Sequence, residues 1–139
     1  MIKHQTTIKI RYAETDQMGY VHHSRYALYL EEARMDLFWA IGLDYNLLEK
    51  DGIIMPVVEM ETRFSSPLYF GDTITVETEI QHPWDTKLVF HYRIYNQHKR
   101  MVSRAKTSLV LAEKKTGKLV SDPQQHLECL TRALLEVGI

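Results

Sequence analysis

The sequence predicts an α+β fold in which one long helix lies across a curved antiparallel sheet of five strands. A strand-like segment comes first, an eighteen-residue helical pattern follows it, and four more strand patterns joined by short turns come next. Short connections favour antiparallel pairing of successive strands. Because one helix covers only part of such a sheet, the exposed edges and face predict a homo-oligomer.

The first half of the chain reads as a strand, a loop and the long helix. Apolar and polar residues alternate over Gln5–Tyr12, which predicts a half-buried strand. A loop follows over Ala13–Val21. Apolar residues at helical spacing then predict a helix over Ser24–Ile41, capped by Ser24 and ended by Gly42.

The second half reads as four strands and a terminal helix. The strands are predicted over Ile54–Phe64, Thr73–Gln81, Lys87–Asn96 and Arg100–Glu113. A short helical turn at Asp44–Lys50 precedes them, and Pro67 and Gly71 break the first connection. Apolar spacing over Pro123–Val137 predicts a C-terminal amphipathic helix. No linker or internal repeat divides the sequence, so residues 1–139 are expected to form one domain.

Composition narrows the functional classes. The chain has 139 residues, a net charge of -1 and no long basic run, so nucleic-acid binding is not expected. No apolar run approaches the roughly 20 residues needed to span a bilayer, which predicts no stable membrane insertion. The single cysteine, Cys129, excludes an intrachain disulfide and fits a cytoplasmic location.

Reactive side chains gather in the predicted joint between the first strand and the long helix. A lone loop aspartate such as Asp16 is usually a turn residue. Here Gly19 allows close approach of the backbone to a ligand, and unpaired N–H groups near His23–Tyr26 offer a site for negative charge. A carboxylate beside such donors is the minimum required to hydrolyse an acyl group. The carboxylate attacks or activates water, and the N–H groups stabilise the oxyanion.

Two other interpretations of the joint are weaker. His22 and His23 are adjacent, so at most one ring is expected to enter the site, and the spacing matches no metal motif. Glu14 and Asp16 could be a glycosidase pair, but carboxylates two residues apart usually point in different directions. We therefore predict no metal site here.

Two basic residues on the last long strand allow two interpretations. Arg104 and Lys106 lie on one face of that strand. They form either a solvated charged face or a phosphate contact for a nucleotide-bearing substrate. Their spacing alone does not decide between the two.

The stretch "RYAETDQMGYVHHSRYALYLEEAR" resembles the signature of the hotdog-fold acyl-CoA thioesterases of the 4-hydroxybenzoyl-CoA thioesterase-like family. Within that family it is most similar to the branch associated with the bacterial Tol–Pal gene cluster. The matching positions are Tyr12, Asp16, Gly19, Val21, His23, Tyr26, Glu31 and Arg34. The later "SSPLYFGDTITVETEI" resembles the second landmark of the family. The match covers nearly the whole chain, short of the last helix.

The resemblance implies an assembly as well as a fold. A five-stranded antiparallel sheet would wrap around the long helix, and two subunits would join their sheets. Dimers would often pair into homotetramers. The acyl-CoA substrate would bind at the subunit interface, without a metal or a redox cofactor.

The resemblance also implies roles for individual residues. Asp16 would be the catalytic carboxylate, acting as nucleophile or general base, and the backbone N–H at position 23 would polarise the thioester carbonyl. The His23 side chain and its companion Tyr12 would orient water or move a proton. The expected substrate contacts are Gly19, Val21, Tyr26, Arg104 and Lys106.

Two alternative functions stay open at this point. A hotdog hydratase or dehydratase acting on acyl thioesters would pair a histidine with a carboxylate on the helix, for which Glu31 is the nearest candidate. A non-catalytic acyl-CoA-binding module would bind coenzyme A without releasing a thiol. The acyl group, its length and its aromatic or aliphatic nature are not predicted.

Overall fold

The computed structural model describes residues 2–80, 86–128 and 132 of the chain. Two helices and seven strands are present in this part of the chain. The helices are α1 (Tyr26–Ala40) and α2 (Tyr45–Lys50). The strands are β1 (Ile2–Lys9), β2 (Ile53–Ile54), β3 (Val57–Phe64), β4 (Thr73–Ile80), β5 (Lys87–Tyr95), β6 (Met101–Val110) and β7 (Ala112–Glu113).

Five strands form one sheet in the order β1-β4-β5-β6-β3, and every neighbouring pair is antiparallel. The helix α1 lies against one face of this sheet and buries Leu30, Ala33 and Leu37 completely. Near its end, the ring of Phe38 packs edge-on against Phe90 of β5, with centroids 5.8 Å apart. The predicted α+β architecture of a five-stranded antiparallel sheet and one long helix is confirmed.

The first strand begins and ends earlier than predicted. It covers Ile2–Lys9, and the chain then turns through a 3-10 helix at Tyr12–Glu14. Ile8 and Ile10 are buried as the alternation requires, but Tyr12 is 75% exposed. The chain has left the sheet at this point, so the alternation of a strand no longer sets the direction of its side chains.

The two longest predicted strands are each interrupted. Ile54–Phe64 breaks at Pro56, which has no N–H to donate to a sheet ladder, and a register shift follows between Val57 and Glu59. The last strand breaks at Leu111. The ends beyond these breaks pair with each other as the short β2–β7 ribbon, apart from the main sheet.

Part of the predicted C-terminal helix lies outside the described residues. The segment Pro123–Gln125 forms a 3-10 turn, and Leu127 is fully buried in the core. Within Pro123–Val137, residues 129–131 and 133–137, among them Cys129, lie outside the described residues. In the described residues, no helix is long and apolar enough to cross a membrane.

The edge strand β3 carries exposed apolar residues on the helix-bearing face of the sheet, beyond the part that α1 covers. Val58, Met60 and Phe64 are all about half exposed. Met60 is paired in register with the buried Thr107, and Phe64 with the buried Ser103, so both side chains lie on the helix-bearing face of the sheet. A free edge with an apolar face is a typical site of further pairing.

A buried carboxylate ties the loop after β1 to the long helix. Glu14 is 8% exposed and accepts hydrogen bonds from the backbone N–H of Arg11 at 2.8 Å and from the Tyr29 hydroxyl at 3.0 Å. The Arg11 guanidinium donates to its second oxygen at 3.2 Å. Burial alone would raise the pKa of Glu14, but these hydrogen bonds and the arginine charge together hold that pKa below its ordinary value.

We predict that Glu14→Gln lowers the free energy of unfolding by about 1–3 kcal/mol at pH 7, because an amide cannot accept the same set of hydrogen bonds. The depressed pKa sets the pH dependence. The stabilisation that the ionised Glu14 contributes is complete above pH 4.5, the ordinary pKa of a glutamate. It is lost as the pH falls through the lower pKa that Glu14 has in the folded protein. Urea unfolding at pH 7 and in acid measures both effects.

The matched control is Glu49→Gln on α2, whose side chain is exposed. This change should stay within about 0.5 kcal/mol of the original protein at both pH values. Equal effects of the two substitutions would contradict the role given to Glu14.

Candidate active site

Asp16 lies in a tight turn that leaves one of its carboxylate oxygens available. Its Oδ1 accepts hydrogen bonds from the N–H groups of Met18 at 2.8 Å and Tyr20 at 3.1 Å. Its own N–H donates to the Tyr20 carbonyl at 2.7 Å, and Gly19 makes the turn possible with a φ of 85°. No described residue donates to Oδ2. The side chain is therefore oriented through one oxygen while the other can act on a ligand.

The start of the long helix differs from the prediction in one respect. The α-helix begins at Tyr26 and is preceded by a 3-10 turn at His23–Arg25. The prediction of Ser24 as the N-cap is wrong, because Ser24 lies inside the 3-10 turn. The N-cap of that turn is His22, whose Nδ1 accepts the Ser24 N–H at 3.2 Å, and the N-cap of α1 is Arg25, which makes no side-chain cap hydrogen bond. A ring nitrogen here takes the place of the usual hydroxyl or carboxylate oxygen.

Of the backbone N–H groups from His23 to Tyr26, only one has no acceptor among the described residues. The Ser24 N–H binds the His22 ring, the Arg25 N–H binds the His22 carbonyl, and the Tyr26 N–H binds the His23 carbonyl. In the described part of the chain nothing accepts the N–H of His23. The predicted cluster of unpaired donors near His23–Tyr26 is thus reduced to the one at His23.

His22 and His23 both line the cleft, and their rings are in contact. The two rings lie 4.1 Å apart between centroids and are tilted by 31°. The 3-10 turn thus holds the neighbouring side chains together instead of pointing them apart, and that at most one of them enters the site stays a prediction.

The cleft has a volume of about 390 Å³ and lies between the loop of Asp16, the start of α1 and the chain just after β3. Its lining residues are Asp16, Val21, His22, His23, Tyr26, Phe64, Ser65, Ser66 and Pro67. The residue with the free carboxylate oxygen and the residue with the free N–H thus line one cavity. Of the predicted site residues, the structure brings four into this cleft: Asp16, Val21, His23 and Tyr26.

Aromatic rings form the apolar wall of the cleft. The ring of Tyr26 meets that of Phe64 edge-on with a centroid distance of 4.8 Å, and that of Tyr29 at 5.9 Å. Burial raises the pKa of Tyr26 to about 12, so its hydroxyl keeps its proton at neutral pH. The wall is therefore apolar and uncharged, which suits an acyl group.

Several predicted site residues lie outside the cleft lining. Tyr12 is exposed and packs edge-on against Phe70 at 5.5 Å, and Gly19 lies at the tip of the Asp16 turn. Arg104 and Lys106 line a different groove of about 510 Å³ on the outer face of the sheet. Whether these four residues contact substrate stays a prediction.

Sequence reasoning missed the strand side of the cleft. Phe64, Ser65 and Ser66 were read only as a strand end and a connection. The two stretches that resemble the family could have located these residues. The second stretch begins at Ser65, and if both stretches contribute to one site, its first residues must lie beside the first stretch. In the described residues, no group of three or more His, Cys, Asp or Glu side chains could hold a metal ion.

Comparisons with known proteins agree with this geometry. YneP of Bacillus subtilis (strain 168), named as a candidate acyl-CoA thioesterase, is 37% identical over 111 residues, covering 80% of each chain. The acyl-CoA thioester hydrolase YbgC of Escherichia coli is 26% identical over 106 residues, covering 76% of this chain and 79% of that one. The crystal structure of a DHNA-CoA thioesterase from Staphylococcus aureus matches with a TM-score of 0.90 at 29% identity, covering 99% of this chain and 91% of that one.

The family model of the thioesterase-like superfamily matches residues 10–130, which include the whole cleft and four of the five strands of the main sheet. The predicted hotdog fold and thioesterase class are both confirmed. The chain belongs to the thioesterase-like superfamily and is a hotdog-fold thioester hydrolase.

Proposed function

We propose that the protein hydrolyses an acyl-CoA thioester to the free acid and coenzyme A in the cleft between Asp16 and the start of α1. One observation carries the proposal. Asp16, which has one carboxylate oxygen without a donor, and His23, whose backbone N–H has no acceptor among the described residues, line the same cavity, where a thioester carbonyl could meet both groups. Similarity to acyl-CoA thioester hydrolases supports the choice of substrate class.

The reaction needs only groups that the cleft holds. The Asp16 carboxylate either attacks the thioester carbon, giving an acyl anhydride that water then cleaves, or takes a proton from water as the water attacks. The carbonyl oxygen gains negative charge in both routes, and the His23 N–H donates to it. In the first route the carbon–sulfur bond breaks as the anhydride forms, before water cleaves it, and in the second route the bond breaks when the tetrahedral intermediate formed by water collapses. In both routes the departing coenzyme A thiolate takes up a proton.

His23 and Tyr12 are the proposed companions of Asp16. The His23 imidazole lines the cleft and can orient water or return a proton to the leaving thiolate. Tyr12 lies in the 3-10 turn two residues before Glu14, whose buried carboxylate anchors the same loop. Its hydroxyl belongs to the site in this proposal, although its ring now packs on Phe70.

The outer-face groove is the proposed place for the phosphates of coenzyme A. Arg104 is the direct cross-strand partner of both Arg63 and Arg93, so three arginines lie in a row across three strands. Like charges opposite each other destabilise a sheet. Among the described residues, Arg93 pairs with Glu77 at 3.5 Å, whereas no carboxylate lies within ion-pair distance of Arg63 or Arg104. Lys106 lines the same groove together with Glu61, Glu77 and Glu79, and phosphate contacts to Arg63 and Arg104 would offset the repulsion within the row.

The acyl group is best identified by assay. A graded panel from acetyl-CoA to palmitoyl-CoA, with benzoyl-CoA as an aromatic member, should show thiol release for at least one member. Binding of coenzyme A with no release across the panel would favour the non-catalytic module. The hydratase alternative loses support because Glu31 is exposed and is not part of the cleft lining.

The proposal also covers the oligomeric state, the cellular location and the branch of the family. The exposed apolar face of β3 supports a dimer in which two sheets join, with homotetramers as pairs of such dimers. A cytoplasmic location and membership of the Tol–Pal-associated branch complete the proposal, and the single cysteine is consistent with the former.

We predict that Asp16→Asn lowers turnover at least about a hundredfold, because the amide keeps an oxygen for the turn but loses the nucleophile or base. Thiol release from the most active acyl-CoA of the panel measures the effect. The exposed Asp51 at the end of α2 offers the control Asp51→Asn, which should keep full activity. Wild-type turnover in Asp16→Asn would refute the proposed mechanism.

We predict that Arg104→Gln raises the KM for the acyl-CoA by about fivefold and leaves kcat unchanged, because the substitution removes one solvent-exposed contact to a phosphate. The KM for the matching acyl-pantetheine, which has no nucleotide phosphates, should not change. Lys50→Gln on α2 is the charge control. An equal rise in KM for both substrates would place the phosphates elsewhere.

We predict that Met60→Glu on β3 shifts the protein towards a 16.3-kDa monomer in sedimentation velocity, because a charge would be buried where two sheets join. The control is Leu119→Glu, another exposed apolar residue far along the chain from β3. An unchanged assembly in Met60→Glu would exclude this face of β3 as the interface.

A further inference from the structure

The start of α1 is organised by one histidine through five separate contacts. The His22 N–H donates to the Glu14 carbonyl at 3.3 Å, and its own carbonyl accepts the Arg25 N–H at 2.9 Å. Its Nδ1 accepts the Ser24 N–H at 3.2 Å and lies 2.8 Å from the Ser24 hydroxyl. Its ring stacks on the ring of His23.

These contacts decide which backbone donor of the helix start stays free. His22 takes up the N–H groups of Ser24 and Arg25, one with its ring and one with its carbonyl. The His23 N–H between them is left without an acceptor among the described residues. Without the ring, the Ser24 N–H would also lack a partner, and water would compete for both donors.

The hydrogen bonds also select the form of the imidazole. Because the Ser24 N–H points at Nδ1, that nitrogen carries no proton, and the ring proton of the neutral form is on Nε2. The ring is thus held in one tautomer and one orientation. In that orientation it is stacked on His23 at a centroid distance of 4.1 Å.

We propose that His22 is a positioning residue of this active site, which caps the 3-10 turn through Nδ1 and so aims the single free N–H of His23 at the thioester carbonyl. The inference rests on the proposed function. It adds a residue that sequence reasoning set aside, and it assigns the effect to the acceptor nitrogen of the ring rather than to proton transfer by it.

Two substitutions distinguish the hydrogen bond from the Ser24 N–H to His22 from the contact between the His22 and His23 rings. In His22→Asn the amide oxygen can accept the Ser24 N–H, since asparagine is a favoured N-cap residue, but the stacked ring is lost. In His22→Phe a ring can still stack on His23, but nothing accepts that N–H. We expect His22→Asn to keep kcat within about threefold, and His22→Phe to lose at least about tenfold in kcat with little change in KM.

A second readout keeps the test informative if His22→Phe is unstable. Amide hydrogen exchange measured by NMR should show the Ser24 N–H protected in the original protein and in His22→Asn. The exposed His98 in the β5–β6 hairpin provides the controls His98→Asn and His98→Phe, both expected at full activity. Asp16→Asn is assayed in parallel with thiol release from the most active acyl-CoA of the panel.

Three results would overturn the inference. These are full kcat in His22→Phe, an equal loss in the two His22 variants, and an unprotected Ser24 amide in the original protein. If Asp16→Asn is inactive while His22→Phe is fully active, only the role of His22 fails. If Asp16→Asn is as active as the original protein, the proposed function itself fails.

Discussion

The joint between the first strand and the long helix depends on one buried carboxylate. Glu14 receives the Arg11 N–H from the chain leaving β1 and the Tyr29 hydroxyl from the second turn of α1, and its backbone carbonyl receives the His22 N–H. Three stretches of chain are thereby tied to one residue. Because a buried acceptor left unsatisfied is costly, this connection restrains the loop of Asp16 against the start of α1.

The chemistry proposed for the cleft depends on the polar groups that keep no partner once the hydrogen bonds of Glu14 have fixed this joint. Several polar groups of the joint are held by partners, including Oδ1 of Asp16 and the N–H groups of Ser24 and Arg25. Among the described residues, the second oxygen of Asp16 and the backbone N–H of His23 have none. A fixed acceptor and a fixed backbone donor on two residues of one cleft are what a preorganised site for a polar carbonyl requires.

The fold was largely predictable because periodicity and short turns constrain it, and the signature from Arg11 to Arg34 pointed to the joint that is proposed as the active site. The differences arise where local conformation overrides a pattern. Tyr12 leaves the buried face because a 3-10 turn begins there, and Pro56 divides a strand that alternation made continuous. A histidine as N-cap was not predictable from propensity, which favours the neighbouring Ser24.

The strand side of the cleft was unpredictable for another reason. Phe64 reaches Tyr26 across 38 positions of sequence, and such contacts depend on register rather than on local pattern. The same holds for the row formed by Arg63, Arg104 and Arg93, which exists only because three strands align. Sequence spacing identified Arg104 as a basic residue on a face but not its two neighbours.

The most direct measurement is a crystal structure of the protein with a hydrolysis-resistant ketone analogue of its best acyl-CoA substrate. The account predicts the ketone oxygen about 2.7–3.1 Å from the His23 backbone nitrogen, with the free oxygen of Asp16 facing the carbonyl carbon. A carbonyl bound outside this cleft, or held by donors other than the His23 N–H, would contradict the account.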